Sequence, residues 1–270
     1  MATEPTRRGA APRADFPWWL VAVGLIGAFI AWRIAADEIY SQAFETLSRG
    51  IGITVFVTLA AFALACALGL LLAVGAGAKG IVWRQTARFV IEVVRGIPIL
   101  VLLFYIAFVA TPAAVAGWNA IAEPLGLDPL RTRDIPLIWR AILALTIGYA
   151  AYIAEVFRAG IEAVDKGQIE AAKALGLSPW QRFRLIVLPQ AIRIMLPPLG
   201  NFFIAMIKDS SLVSVLGVAD LAQMAKVYAS GSFRYFEAYN ILTVLYLMVT
   251  IALTLALRAL ERHLNRTREG

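Results

Sequence analysis

The chain has 270 residues, 60% of them hydrophobic and only 16% charged. Soluble domains carry about 25% charged residues, so this shortfall, with repeated long apolar runs, excludes a soluble globular protein. A formal net charge of +7 would suit nucleic acid, but the basic residues cluster beside apolar runs, which is a membrane pattern and excludes nucleic acid as the partner.

Six runs are long enough to cross about 30 Å of hydrocarbon at about 1.5 Å per residue: Pro17–Ala36, Ile51–Gly75, Phe89–Ala110, Ile135–Phe157, Ile192–Val215 and Ala238–Leu257. The period-2 alternation of a membrane barrel is missing. The expected fold class is therefore an all-α integral membrane protein with about six transmembrane helices. Residues 1–16 are rich in Pro, Arg and Ala and read as a disordered tail. The first run is longer than the apolar part of a signal peptide and lacks a clear cleavage site, so it is kept as a helix. An amphipathic stretch, Ile39–Arg49, joins it to the second run. That second run is dense in Gly and Ala, which let helix backbones approach closely, and reads as a central packing helix. Thr111–Ile135, with its prolines and acids, reads as a structured outer connection. The fifth run opens on Pro197-Pro198-Leu199-Gly200-Asn201, where a kink or break is expected.

Charge sets the expected orientation. Arg7, Arg8 and Arg13 precede the first run. Lys79, Arg84 and Arg88 lie between the second and third, and Arg158, Lys166, Lys173, Arg182, Arg184 and Arg193 between the fourth and fifth. Arg258, Arg262, Arg266 and Arg268 follow the sixth. The alternate loops carry few cations. The positive-inside rule then places both termini and the Gly160–Gln190 loop in the cytoplasm. Cys66 stands alone, so no disulfide or thiolate metal site is expected. The single histidine, His263, reads as a solvated tail residue. No metal and no cofactor is expected.

The Gly160–Gln190 loop is the most structured polar segment. Gln168–Leu175 holds good helix formers and stops at Gly176, a natural helix-terminating residue. Ser178-Pro179 restarts a helix, with Ser as N-cap and Pro in the first turn. Trp180, Phe183 and Val187 give that helix an apolar face, and Pro189 is expected to break it before the fifth run. Ala171 and Ala172 leave a shallow surface beside the carboxylate of Glu170. The result is a helix–turn–helix lever lying across the membrane face, built either to be gripped by a partner or to rest on the surface alone.

Ionisable groups inside hydrocarbon are costly and are usually functional or paired. Lys208 and Asp209, followed by Ser210 and Ser211, fall near the middle of the fifth run and are candidates for a solute pathway. They could also form a structural pair, and adjacent helical residues point about 100° apart. Asn201 is a further pathway candidate. Glu92 with Arg95, and Glu155 with Arg158, share helix faces at i, i+3 and are expected to form structural or gating ion pairs, with substrate contact as the alternative. Arg33 and Arg140 are expected to snorkel from span ends, and Thr54 and Thr58 to hydrogen-bond between helices, with pathway lining as the alternative.

The pattern Glu-Ala-Ala, three residues, Gly, nine residues, Ile, one residue, Leu-Pro is met without a gap from Glu170 to Pro189. It resembles the cytoplasmic "EAA" loop of the permease subunits of bacterial binding-protein-dependent ABC importers. Glu92–Pro98, Ala154–Gly160, Leu188–Ala191, Leu196–Asn201, Lys208–Leu212 and Gly217–Leu221 resemble the polar amino-acid permeases within that group. The resemblance covers about Leu47 to Leu264. Many members have a five-helix core, which makes the first run an added N-terminal helix. Where the family has Thr after Gly in the first block, this chain has Ile97.

The resemblance implies a cytoplasmic ABC ATPase gripping the loop through Glu170, Ala171, Ala172, Gly176, Leu188 and Pro189. It also implies a second permease subunit, either a copy or a paralogue, and a periplasmic amino-acid-binding protein. Segments 17–46, 47–257 and 258–270 would be the added helix with its connection, the permease domain and a basic tail, in a multi-pass bacterial inner-membrane protein. The chain has no G-x-x-x-x-G-K-[ST] loop to cradle phosphate, so ATP hydrolysis falls to another chain and no catalytic residue is expected here. An ion-coupled secondary transporter is the alternative, though the inverted repeat usual for that class is not visible. A scaffold or receptor that carries nothing is a third reading.

Overall fold

A computed structural model describes residues 18–266, with side chains to residue 262. The expected disordered tail at 1–16 and the His263 side chain lie outside the described residues. Among those described, six helical stretches are long and apolar enough to cross a membrane. Helices are the open-chain solution to a medium without water, because each satisfies its backbone polar groups within its own segment.

α1 (Trp18–Ala36) leads through N-cap Asp37 into the amphipathic α2 (Glu38–Ser48). α3 (Ile51–Ala76) and α7 (Leu137–Glu162) form the centre and pack along their lengths. Small residues permit this: a Cβ on Gly69 would lie 2.8 Å from the Ile153 side chain and 3.0 Å from the Ala150 carbonyl. The expectation that the second run is a central packing helix is met. Val57, Ala61, Ala65, Ala141, Leu145, Ala150 and Ile153 line the seam, all fully buried.

The third run departs from expectation. It is not one span over Phe89–Ala110. α4 (Ile81–Arg95) stops at Gly96, and a new helix starts after Pro98. Pro98 lacks a backbone donor and steers the preceding residue away from helical geometry. The spanning stretch is Ile99–Leu125, made of α5 (Ile99–Tyr105), a π segment (Ile106–Ala110) and α6 (Thr111–Ala122). Most of the presumed outer connection is therefore helix.

Two π segments share one cause. Ile106–Ala110 ends two residues before Pro112, and Phe183–Val187 ends two residues before Pro189. A proline inside a helix loses one hydrogen bond and collides with the carbonyl four residues back, which falls at Phe108 and at Leu185, inside each π segment. The widened turn takes up that collision. Pro189 therefore does not break the chain: α9 (Pro179–Arg182), the second π segment and α10 (Leu188–Asp209) run on as one helical rod. Nor does Pro197-Pro198 break α10. Neighbours brace it there, since a Cβ on Gly200 would lie 2.3 Å from Leu257 and one on Gly160 would lie 2.4 Å from Met195.

A 3-10 turn (Ser210–Leu216) then leads to α11 (Leu221–Ser232) and to α12 (Tyr235–Arg266). α11 packs with α2 and α12, which α1 also contacts, around Tyr40, Leu47, Leu221, Ala225 and Ile241. Its N-cap Asp220 is fully buried and accepts from Gln223 N at 2.8 Å. Burial pushes that carboxyl up to about 6. Thr54 meets its expected role, accepting from Leu221 N across helices at 3.0 Å, while Thr58 donates back to the Thr54 carbonyl.

Arg140 does not snorkel. It is buried, and its guanidinium donates to the carbonyls of Ile135 at 2.9 Å, Ala107 at 3.1 Å and Thr132. That clamp ties the connection before α7 to the first π segment. Arg33 pairs with Asp37 at 2.7 Å and lies over the Tyr40 ring.

Candidate functional site

The Gly160–Gln190 loop forms the lever the sequence predicts, with changed detail. α8 (Lys166–Ala174) is capped by Asp165, which accepts from Gln168 N. Gly176 turns the chain at φ 78, a left-handed conformation in which a side chain would be strained. Ser178 and Gln181 then make a reciprocal capping box, with Pro179 in the first turn.

The surfaces of the lever divide cleanly. Glu170 is exposed and makes no ion pair among the described residues, so its carboxylate is available. Ala171 is exposed, but Ala172 is buried and belongs to the packing, not to a shared shallow surface. Leu188 is half-buried and Pro189 exposed at the start of α10. The expected apolar face is split by the π turn. Val187 is buried with Val164, Ala191 and Met195, while Trp180 stands exposed, stacked on Phe183. A contact invisible in the sequence ties the lever to the span: Gln190 Nε2 donates to Gln168 Oε1 at 2.6 Å and to the Ile186 carbonyl at 3.0 Å.

The second constellation lies at mid-height. Tyr149, in the middle of α7, donates its hydroxyl to Asp209 Oδ2 at 2.7 Å. One turn on, Tyr152 donates to the Arg95 carbonyl at 3.3 Å, and its ring lies under the Arg95 guanidinium, 5.6 Å from the centroid. Phe202 of α10 packs against both tyrosine rings, at 6.2 and 5.9 Å. These residues, with the Gly96–Ile99 break, enclose a cleft of about 450 Å³.

The remaining candidates are distributed differently from the sequence pattern. Lys208 does not share the Asp209 cleft. It lines a separate groove of about 560 Å³ with Ser211, Ser214, Lys226 and Tyr239. Ser210 is buried and donates to the Ile207 carbonyl, and Ser211 donates to that of Lys208, so both hydroxyls serve the helix end. Asn201 is exposed on α10 and lines neither cavity. Glu155 pairs with Arg158 at 2.5 Å, and Arg158 also pairs with Glu162 at 2.9 Å. Among the described residues Glu92 and Arg95 make no ion pair; Arg95 turns to Tyr152 instead. Among the described residues no cluster of His, Cys, Asp or Glu could hold a metal. The sequence reading missed Tyr149, Tyr152 and Phe202, although two tyrosines three residues apart in an apolar span were a readable signal.

Similarity to known proteins agrees with this geometry. Residues 65–269 match the family described as "Binding-protein-dependent transport system inner membrane component". The chain is 36% identical over 231 residues to the "Probable amino-acid permease protein YxeN" of Bacillus subtilis, covering 85% of this chain and 96% of that one. It is 36% identical over 223 residues to the "Glutamine transport system permease protein GlnP" of Escherichia coli, covering 83% and 94%. A solved amino acid ABC transporter superposes with a TM-score of 0.70 at 34% identity, covering 83% of this chain and 96% of that one. The methionine transporter MetNI shares the fold at a TM-score of 0.62 and 22% identity, covering 81% and 96%. With its apolar spans, braced loop and this match over most of its length, the chain belongs to the inner-membrane components of binding-protein-dependent transport systems.

Proposed function

We propose that this chain is the permease subunit of an ABC importer for amino acids, driven by ATP hydrolysis on a partner subunit. The supporting observation is the lever itself: a capped, glycine-turned loop hydrogen-bonded through Gln168–Gln190 to the helix that carries Asp209. Motion imposed on α8 would travel along a continuous helical rod to the mid-span cleft. The relatives named for amino acids and glutamine supply the substrate class.

In this reading both termini and the loop face the cytoplasm, as the cation distribution favours. The exposed Glu170 carboxylate, with Ala171 and the turn at Gly176, meets the ATPase, and Leu188-Pro189 carry the contact into α10. A binding protein delivers the amino acid to the opposite side, and a second permease subunit completes the pathway. The chain itself makes and breaks no covalent bond; it binds, orients and gates. Reconstitution of the chain with its ATPase and binding protein in liposomes tests this. The proposal expects amino-acid uptake that requires ATP, and uptake driven by an ion gradient without the ATPase would replace it with the secondary-transporter reading.

A further inference from the structure

The groove beside α12, about 560 Å³, is built from hydrogen-bond donors. Tyr239, Thr243, Tyr246 and Thr250 line it from α12. They follow at i, i+4, i+7 and i+11, which is one helix face about 16 Å long. α12 runs antiparallel to α10: Leu257 meets Gly200, and Tyr246 shares a cavity wall with Ile207. The groove therefore runs from the end of the span opposite the lever to mid-height, where Lys208 precedes the Asp209 held by Tyr149. Lys226 of α11, outside the spans, lines it too. Neither ammonium group meets a carboxylate among the described residues. No Asp or Glu lines this groove; Asp209 lines the cleft beside Tyr149, and Asp220 is fully buried. The hydroxyls of Ser211 and Thr250 are spent on carbonyls three and four residues back. Those of Ser214, Tyr239 and Thr243 bond to nothing among the described residues, so they are free to donate.

We infer that this groove is a water-filled, anion-selecting stretch of the solute pathway, and that the solute is an acidic amino acid. The inference rests on the amino-acid importer reading above and narrows its substrate class. A hydroxyl stripe ending at a mid-height ammonium group has no place against acyl chains; such residues face a protein interior or water. Donors with no acceptor among them attract a carboxylate and repel an ammonium group. An acidic amino acid brings two carboxylates against one ammonium group. A neutral one brings one of each, and a basic one reverses the balance. The pathway would thus reject cationic solutes at Lys226 and Lys208 whatever is delivered to it. Anionic lipid head groups and inorganic phosphate share the carboxylate's charge, and the test separates them from the amino acid.

The test places one thiol in the groove. Cys66→Ala removes the single native thiol, and Ser214→Cys supplies the probe. The permease–ATPase complex is purified in uncharged detergent and treated with an anionic or a cationic methanethiosulfonate, each rate normalised to a free thiol in water. The anionic reagent reacts faster by about tenfold, the scale of a unit charge met near a protein surface. About 1 M salt screens most of that preference. Lys208→Met with Lys226→Met abolishes it, and Lys208→Arg with Lys226→Arg keeps it, which separates charge from misfolding. Glutamate and aspartate then slow the reaction several-fold, whereas glutamine, asparagine and lysine at equal concentration do not. A thiol that reacts with neither reagent shows a groove closed to water and overturns the inference. So do equal rates for the two reagents, glutamine protecting as well as glutamate, no protection by any amino acid, or protection by phosphatidylglycerol or phosphate alone. ATP-driven uptake restricted to neutral or basic amino acids removes this inference and leaves the importer reading standing. Absence of ATP-driven uptake of every amino acid removes both.

Discussion

Gln190 Nε2 lies 2.6 Å from Gln168 Oε1, so a residue in the first turn of α10 is bound to the first turn of α8. This bond closes a triangle made by α8, the Gly176 turn and the helical rod that begins at Pro179. A hinge with three braced corners transmits force, whereas an open one absorbs it.

Breaking that corner should loosen transmission before it harms folding. Gln190→Ala with Gln168→Ala should cost about 0.5–1.5 kcal/mol of stability, the usual net worth of one hydrogen bond. Uptake per ATP hydrolysed should fall more than the melting temperature does. The check is parallel measurement of ATPase rate and uptake in proteoliposomes. Tight coupling in the double variant would remove the brace from the mechanism.

Glu170 offers an unpaired carboxylate at the lever surface. Glu170→Lys reverses its charge and should cut recovery of the ATPase with the chain, or leave hydrolysis running without uptake. Pull-down and uptake together read this out. Because the side chain is exposed, the stability of the chain should change little, within about 0.5 kcal/mol. Normal uptake by this variant would contradict the coupling role.

Gly50 packs directly on the start of α11. A Cβ there would lie 2.5 Å from the Asp220 carbonyl carbon and from Leu221 N, both backbone atoms with no freedom to swing away. Gly50→Ala should therefore destabilise by about 1–3 kcal/mol, as overpacking does. Thermal unfolding in detergent measures it. Gly52, with open space around it, is the control position for the same substitution.

Asp220 makes stability depend on pH. Its folded carboxyl is pushed by burial up to about 6, from an ordinary 3.8, so the folded state holds a proton that the unfolded state has released. The carboxyl costs nothing below the unfolded value, where both states are protonated. Stability then falls as pH rises from about 4 through about 6, by about 3 kcal/mol in total at about 1.4 kcal/mol per pH unit. Asp220→Asn keeps an N-cap acceptor but cannot ionise, so its melting temperature should lose that slope. A wild-type curve flat between pH 4 and 7 would show that the carboxyl is not desolvated.

Element types and the lever were legible in the sequence because apolar length and capping residues act locally. Ser178-Pro179 and Gly176 announced the turn, and both are where local chemistry requires them. Proline behaviour was not legible. Pro189 and Pro197-Pro198 read as breaks, but a π turn takes up the collision before one and neighbouring helices brace the other. Burial of Arg140 escaped for a related reason: its partners are backbone carbonyls that only the folded connection presents. The Lys208–Asp209 pair shows the limit of adjacency, since neighbours on a helix face different ways. Arg95 and Asp209 share a cleft because α7 supplies two tyrosines one turn apart on one face, which is a tertiary fact.

The account stands on force passing from an ATPase through this lever to an amino-acid pathway. The most direct measurement is amino-acid uptake by proteoliposomes that hold the chain and the ATPase recovered with it, with binding protein outside and ATP inside. The account predicts uptake that stops when ATP is withheld and that is uncoupled by Glu170→Lys. Uptake that continues without ATP, or a chain that recovers no ATPase under conditions preserving a known ABC complex, would contradict it.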